Sequence, residues 1–470
     1  MKKKLEEFFR KRPSMLKKYR YSGTFDDFAE NLKNSVTPQK NESFMKKIIM
    51  EKVERIFSNE ISLKALEGQL LNAPILSTAD HHGILNYKLL YNSNLLYSEI
   101  IKKLKLPFVI VSASGSVPLD NISHPRGFYF KNQKFNFFGG KESKTPIFLF
   151  EKKLCANKKI GINSFITSYA EDALTAEEKK FLEYLFFECL EIEKASHNYK
   201  IFSDQVTFLN YKLWKYYFDK NIRYSIPEMI YLQSNQIILE LLIDKIKDKN
   251  ALVSLILFNP EVRRIFLKNF EGIPGCWGES MGSQLFWGVV DKKKYKRFIR
   301  LCLDDASNSL VGDNFKIELE RETILDALKT KKIIATIFFD YLILSFIDGY
   351  MMLGGFNQLD YLPQMQEAHI ISMIDYMIEM QQAHIKSLKE IGMNDLAEEF
   401  ASRVTDGFIC GMFPFDFDSG IDLIWQYNSC EGKFNGNLDR GLTQEDLDRM
   451  NNMKVKDMIG AAVETMLGIV

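Results

Sequence analysis

Two apolar runs separated by an amphipathic segment form the clearest pattern in the chain. The first run is Ile75–Leu76 and the second is Phe108–Val111. Between them, leucine and isoleucine recur at helical spacing from Leu85 to Leu104, which predicts a helix with one broad apolar face. Strand, helix and strand in about fifty residues make a βαβ unit, whose two strands are parallel and whose crossover is right-handed.

A polar cluster follows each predicted strand. The cluster after the first strand consists of Ser77, Thr78, Asp80, His81, His82 and Gly83. The cluster after the second strand contains Ser112, Ser114, Gly115, Ser116, Asp120, Asn121, His124 and Arg126. Because open α/β sheets bind ligands at the carboxyl ends of their parallel strands, we expect both clusters to line one crevice.

The first cluster carries candidate catalytic residues. Histidine is an acid or base near neutral pH, so we expect His81 or His82 to transfer protons and Asp80 to orient the imidazole. Neighbouring residues on an extended segment point to opposite sides, so at most one of the two imidazoles faces a given ligand. The sequence leaves open the alternative that neither histidine is catalytic, with one packed in the core and the other exposed.

The second cluster suggests an anion cradle. Backbone N–H groups and hydroxyls of Ser114, Gly115 and Ser116 suit a phosphate or a carboxylate, and Arg126 suits bidentate pairing with either. Asn121 and His124 complete the substrate-binding candidates from this loop. The glycine spacing matches neither a Walker loop nor GxGxxG, so no nucleotide or other cofactor is identified.

Two glycine-rich islands later in the chain supply further candidates. The first, Glu271–Asp291, contains Trp277 and Gln284, which together resemble a pocket wall but also fit a tight turn. The second, Leu353–Pro363, contains Gln358 and Tyr361 after two glycines that permit close backbone approach. We expect these four side chains to complete the substrate pocket.

The alternation of patterns predicts an α/β fold with a Rossmann-like sheet, a helical insert and a helical C-terminal part. The expected divisions are a helical segment over residues 1–70, the βαβ core over 71–174, a helical insert over 175–270, and the second part of the core with the helical C-terminal region over 271–470. Within them, helices are predicted to begin at Pro227, at Asn259-Pro260 and at Thr443.

Composition narrows the function classes. The formal net charge of the 470 residues is +1, which gives no reason to expect a nucleic-acid partner or an anionic membrane. None of the six cysteines forms a CxxC pair, and residues 1–18 lack the apolar core of a signal peptide, so we expect a cytoplasmic protein with reduced thiols. The apolar stretch Ile333–Ile347 is shorter than the roughly 20 residues that span a bilayer and contains Asp340. It predicts a buried helix or strand.

Three motifs resemble the cysteine-adding enzymes of bacillithiol synthesis. They are Thr78-x4-Gly83-Ile84-Leu85-x3-Leu89, then Pro107–Val111 followed by Leu119–His124, and finally Gly354-Gly355-x2-Gln358-x2-Tyr361. The resemblance implies a Rossmann-like core with a helical insert and a crevice for a small polar molecule. Where that family carries a Gly-Gln-Gln signature this chain has Ala79–His82, so the resemblance does not extend to the substrate.

These observations predict an enzyme that acts on a small polar or anionic metabolite, of the biosynthetic transferase or ligase type. Two other classes stay open. A metal-dependent hydrolase would take its ligands from Asp80, His81, His82, Asp120 and His124. A non-catalytic binding or assembly protein would use the many Phe and Tyr side chains, and the chain could also form a homo-oligomer.

Overall fold

The computed structural model describes residues 7–12, 20–34, 36, 38–39, 43–57, 60–85, 88–120, 127–130, 133–136, 141–151, 199, 201–355, 357–381 and 443–459. The described strands are β1 (Ile75–Ser77), β2 (Phe108–Ala113), β3 (Gly127–Phe130), β4 (Gln133–Asn136), β5 (Glu228–Gln233), β6 (Phe286–Lys292), β7 (Tyr295–Ile299), β8 (Cys302–Asp304), β9 (Ser309–Gly312), β10 (Phe315–Glu318), β11 (Ile333–Ala335) and β12 (Met351–Leu353). The described helices are α1 (Phe25–Lys33), α2 (Phe44–Phe57), α3 (Leu63–Asn72), α4 (Lys88–Lys103), α5 (Phe202–Tyr216), α6 (Ser234–Lys247), α7 (Leu252–Phe258), α8 (Pro260–Phe270), α9 (Arg321–Lys329), α10 (Ile337–Tyr341), α11 (Gln358–Gln381) and α12 (Gln444–Asn451).

The central feature of the fold is a parallel sheet with the strand order β12–β1–β2–β5. Ser77 of β1 pairs with Leu353 of β12 on one side and with Val111 of β2 on the other, and Val111 in turn pairs with Tyr231 of β5. Strands β1, β2 and β12 are buried along their whole length, because helices cover the sheet. The predicted α/β class and the predicted βαβ unit (β1, α4 and β2) are confirmed.

Helix α5 packs on β5 and anchors the segment that follows β1. The Asn210 side chain donates to the carbonyl of Gly83 (2.9 Å) and accepts from the N–H of Leu85 (2.8 Å), and the Tyr217 hydroxyl donates to the carbonyl of Leu85 (2.9 Å). These bonds replace strand pairing beyond β1, so the backbone after the first strand is fixed without being part of the sheet.

The N-terminal helices pack against the same core. Helix α1 begins with a capping box in which Thr24 and Asp27 bond each other's backbone and side chains. In α3, the buried amide of Gln69 donates to the carbonyl of Phe108 (2.8 Å) and accepts from its N–H (3.0 Å). One side chain therefore completes the backbone hydrogen bonds at the beginning of β2. Helices α1, α2 and α3 lie in or extend just past the predicted segment 1–70, and the division of the chain at residue 70 stays a prediction.

The helix predicted to begin at Pro227 is wrong for its first turns. Residues Glu228–Gln233 form β5, and the helix α6 begins at Ser234. Pro227 precedes the strand, where its missing N–H disrupts no ladder, and the six residues after it pair in register with the whole of β2. A short apolar run fits a buried strand and a buried helix equally well by periodicity, and the sheet partner decides between them.

Residues 271–347 form two small antiparallel sheets with helices beside them. Their strand orders are β11–β6–β7 and β10–β9–β8. The predicted buried segment Ile333–Ile347 begins as β11, continues as α10 and ends in a π-helical turn over Leu342–Ile347. Burial of this segment is confirmed. Strands β3 and β4 pair with each other as an antiparallel hairpin.

Two of the predicted helix starts are confirmed as capped N-termini. Asn259 caps α8 with Pro260 in the first turn, and Thr443 caps α12 through a capping box with Asp446. His369 of α11 is fully buried and stacks on Phe346, with ring centroids 4.4 Å apart. Within the described ranges, no helix combines the length and the apolar character needed to cross a membrane.

Candidate active site

The two polar clusters meet where β1 and β2 end, as the sequence predicts. The N–H of Ser114 donates to the carbonyl of Asp80 (2.7 Å), and the N–H of His82 donates to the carbonyl of Ser114 (2.8 Å). A single parallel bridge between His81 and Ser114 extends the pairing past both strands. We refer to Asp80, His81, His82, Ser114 and the neighbouring Tyr231 as the strand-end cluster.

The residues of this cluster that follow β1 lie beside the point where the strand order of the sheet reverses, between β1 and β12. From β1 the chain passes to β2 and β5 on one side, and it returns much later to β12 on the other. Ligands of open α/β sheets bind outside the carboxyl ends of the strands at such a point. The topology therefore puts the residues after β1 and β12 at the edge where this class of sheet binds its ligands.

Asp80 is the buried acid of the cluster, with an exposed fraction of 1 %. Its Oδ2 accepts a hydrogen bond from Nδ2 of Asn94 on α4 (2.8 Å). Burial raises the pKa of Asp80 to about 7, and the hydrogen bonds from Asn94 and Tyr231 oppose this shift only in part. At neutral pH the carboxyl is thus divided between its protonated and ionised forms.

The two histidines differ in their surroundings. His82 is fully buried, and its ring centroid lies 5.3 Å from that of Tyr231. His81 is half-buried, and burial lowers the pKa of its imidazole below the usual value. His81 is therefore neutral at pH 7, a form in which one ring nitrogen can accept a proton.

Tyr231 joins β5 to the cluster. Its hydroxyl donates to the carbonyl of His81 (2.9 Å), and its ring packs on His82. Burial, followed by the nearby Asp80 carboxyl, raises the pKa of Tyr231 well above its usual range, so the hydroxyl stays protonated. Tyr231 is not among the predicted site residues, because the pattern of residues 228–233 fits a helix as well as a strand. Asn94 is not among them either, because it is a single polar position within the apolar pattern of α4.

The loop after β2 uses its N–H groups within the protein. The N–H of Gly115 donates to Oδ1 of Asn235 (2.7 Å), that of Ser116 donates to Oγ of Ser114 (3.3 Å), and that of Ser114 is held by Asp80. The amide of Asn235 also donates to Oγ of Ser116 (2.8 Å). The expected backbone cradle for an anion is therefore already occupied, and any ligand contact from this loop falls to its hydroxyls.

Gln358 is brought to the end of β1, as expected of a pocket residue, but its amide has an internal partner. Thr78 donates from Oγ1 to Oε1 of Gln358 (2.8 Å), and Nε2 of Gln358 donates to the carbonyl of Thr78 (2.8 Å). Gly354 lies against this amide so closely that an added Cβ would fall 1.5 Å from Oε1. The glycine is required by the close approach of the Gln358 side chain, which positions the backbone two residues before Asp80.

A second buried acid, Asp340, directly precedes Tyr341, whose side chain lies near Thr78. Asp340 on α10 is 6 % exposed, and burial raises its pKa to about 8. The hydroxyl of the next residue, Tyr341, lies 3.5 Å from that of Tyr361 and next to Thr78. Tyr361 is thus near the end of β1, as predicted, and Asp340 is an acid of this region that the sequence showed only as an interruption of an apolar run.

Trp277 and Gln284 serve the antiparallel part of the molecule. Nε1 of Trp277 donates to the carbonyl of Leu267 (3.0 Å), and its ring packs on Phe270 and Phe338. Oε1 of Gln284 accepts from the N–H of Leu303. These contacts give both residues a structural role, as the tight-turn alternative predicts. Their place in the substrate pocket stays a prediction.

Several predicted site residues lie outside the described residues. They are Asn121, His124 and Arg126. Asp120 is described and exposed, and its N–H donates to the carbonyl of Ser143 (3.0 Å). Among the residues that the structure describes, no group of three or more His, Cys, Asp or Glu is arranged to hold a metal ion. A metal site of the kind considered above would need a ligand from residues 121–126.

Comparison with protein-family models found none that matches the chain, and a search of curated proteins found no match. The site is therefore interpreted from its own geometry.

Proposed function

We propose that the protein is a cytoplasmic enzyme that acts on a small polar metabolite by general acid–base catalysis, with the reaction type of a biosynthetic transferase or ligase. The observation that carries the proposal is the position of Asp80, a buried carboxyl group at the ligand-binding edge of a parallel sheet with a pKa of about 7. A carboxyl whose pKa lies near the working pH can donate and accept a proton with equal ease.

The strand order supports a Rossmann-like core. Numbered by position along the chain within this sheet, β5, β2, β1 and β12 are the third, second, first and fourth strands. The order 3-2-1-4 is that of the first four strands of the doubly wound fold. In that fold the crevice opens between the first and fourth strands, which here end at Ser77 and Leu353.

The burial of Asp80 favours transfer of a group from one substrate to another rather than hydrolysis. A site that excludes water protects a reactive intermediate until the second substrate attacks it. In the proposed roles Asp80 exchanges the proton, the neutral imidazole of His81 accepts one, and the Tyr231 hydroxyl holds the His81 backbone in place. The resemblance to cysteine-adding enzymes favours the same reaction type, and the free thiols of Cys276 and Cys302 fit the cytoplasm.

The proposal is tested by the Asp80→Asn variant. A thermal-shift screen of amino acids, sugars and nucleosides against the wild-type chain identifies a ligand, and turnover of that ligand with candidate co-substrates is then measured. We expect Asp80→Asn to lower turnover by about 10²- to 10⁴-fold. Ligand binding should change little, because the new amide oxygen still accepts the hydrogen bond from Asn94.

Glu99→Gln is the matched control. Glu99 is also a buried carboxyl with a raised pKa, caused mainly by burial, but it lies on α4 and accepts a hydrogen bond from Asn451 (2.8 Å). Its variant should turn over the ligand at the wild-type rate. Full activity in Asp80→Asn, with the variant folded, would reject the proposed mechanism.

A further inference from the structure

The side chain of Gln233 is an unexplained buried polar group. It is 3 % exposed, and neither Oε1 nor Nε2 has a hydrogen-bond partner among the described residues. Gln233 also makes no capping hydrogen bond to α6, although it occupies the N-cap position of that helix. A buried amide without partners is costly and uncommon in native proteins, so this donor and this acceptor need a partner from outside the described chain.

The position of Gln233 joins it to the proposed active site. Gln233 and Tyr231 are two residues apart on β5, so their side chains leave the same face of the sheet. On that face Tyr231 contacts both histidines of the strand-end cluster. The unpartnered amide thus lies on the same face and at the same edge of the sheet as the proposed catalytic groups.

Small residues surround the amide. Gln233 pairs with Ala113 across the β2–β5 ladder, and Gly115 lies two residues after Ala113. A Cβ added at Gly115 would lie 2.7 Å from Nε2 of Gln233. Any larger residue at position 115 would therefore press on the amide and displace it.

The surroundings favour an uncharged ligand group. The strand-end cluster contains no Lys or Arg, and the neighbouring N–H groups of Ser114, Gly115 and Ser116 already donate within the protein. Burial shifts the pKa values of Asp80 and Tyr231 upward and that of His81 downward, in each case toward the neutral form. An anion placed here would lose its hydration without gaining a cation.

We propose that Gln233 determines specificity by binding a neutral substrate group that carries a hydrogen-bond donor beside an acceptor, as a carboxamide or the amino edge of adenine does. The amide N–H donates to the acceptor of the ligand, and the amide oxygen accepts from its donor. This inference rests on the proposed function and defines its substrate class as neutral and amide-like.

The test measures binding by isothermal titration calorimetry to the full chain at pH 7. The probes are adenosine and nicotinamide, each compared with an analogue that lacks the donor: purine riboside for adenosine and nicotinic acid for nicotinamide. We expect at least one of the two probes to bind at least tenfold more tightly than its analogue. A preference for adenosine identifies the ligand group as a nucleobase, and a preference for nicotinamide identifies it as a carboxamide.

Gln233→Met removes the amide at nearly constant length, and Gln233→Leu serves as a second variant. Both should bind the preferred probe at least tenfold more weakly and lose the preference over the analogue. Without ligand, both should unfold at the same urea concentration as wild type or at a higher one, because each removes an unpartnered buried amide. Gln236→Leu, one turn along α6 in contact with Lys52, should bind like wild type.

Failure of both probes to bind at millimolar concentration, or wild-type binding by both Gln233 variants, would overturn the role of Gln233. Binding that Asp80→Ala weakens but the Gln233 variants do not would overturn the same role while leaving the active-site location intact. Binding that depends on Gln233, with no turnover of the bound ligand by the wild-type chain, would support the recognition role and count against the catalytic proposal.

Discussion

At the scale of single residues, the chemistry of the site depends on which side chain has a pKa close to 7. The pattern Asp-His-His suggests an imidazole acid or base oriented by a carboxylate, because free histidine titrates nearest to pH 7. In the folded chain, burial raises the pKa of Asp80 to about 7 and lowers the pKa of His81 below its usual value. Asp80 is therefore proposed to exchange a proton rather than only to orient the imidazole, because of a desolvation effect that a sequence does not display.

The protonated state of Asp80 can be observed without a substrate. In infrared difference spectra of the full chain between pH 5 and pH 9, we expect a protonated carboxyl band that disappears with a midpoint near pH 7. The component with a midpoint near pH 7 should be missing from the spectra of Asp80→Asn, which keep only a component near pH 8 from Asp340, and it should be present in those of Asp340→Asn and Glu99→Gln. A wild-type spectrum in which no carboxyl titrates near pH 7 would show that Asp80 is ionised like an exposed aspartate.

At the scale of elements, local patterns predict helices and caps well and distant strands poorly. The capped starts at Asn259 and Thr443 follow from residues within one turn of each other. Strand β5 depends on pairing with β2, more than a hundred residues earlier, and β12 has only three residues. Because β5 carries Tyr231 and Gln233, the error in assigning it removed both residues from the predicted site.

Helix α3 provides an element-scale prediction through Gln69. Its amide satisfies both backbone groups of Phe108 at the beginning of β2. Gln69→Ala leaves a buried N–H and a buried carbonyl without partners, so we expect the free energy of unfolding to fall by about 2 kcal/mol. Urea denaturation followed by circular dichroism measures the change.

The control for Gln69 is Gln236→Ala, whose half-buried side chain accepts only a 3.5 Å hydrogen bond from Lys52. This variant should change the free energy of unfolding by less than about 0.5 kcal/mol. Equal losses in the two variants would mean that the backbone bonds at Phe108 contribute nothing specific.

At the scale of the whole molecule, the sheet collects its four strands from residues 75 to 353 and brings polar groups of four separate segments to one edge. Thr78 and Asp80 come from the first, Ser114 from the second, Tyr231 from the third and Gln358 from the fourth. The sequence predicts that the first two meet, because they belong to one βαβ unit, and it names Gln358 as a pocket residue without the strand that positions it. The others meet them only through the order of the strands, which depends on long-range pairing.

The same burial that shapes the edge makes the stability of the molecule depend on pH. Asp80 and Asp340 have folded-state pKa values of about 7 and about 8, both raised from 3.8 by burial. Below pH 3.8 both carboxyls are protonated in the folded and unfolded chains, and their contribution to stability is complete. As the pH rises toward 7 the unfolded chain loses these protons while the folded chain keeps them. Each group therefore lowers the free energy of unfolding by about 1.4 kcal/mol per pH unit in this window.

The double variant Asp80→Asn, Asp340→Asn removes both titrations. Between pH 5 and pH 6.5 we expect the free energy of unfolding of the wild type to fall more steeply than that of the double variant, by up to about 2.8 kcal/mol per pH unit. Urea denaturation at half-unit pH steps gives both curves, and their difference cancels the contributions of all other groups. Asp313→Asn, in the exposed turn before β10, should leave the wild-type slope unchanged. Parallel curves for the wild type and the double variant would mean that the two buried carboxyls ionise in the folded chain as they do in water.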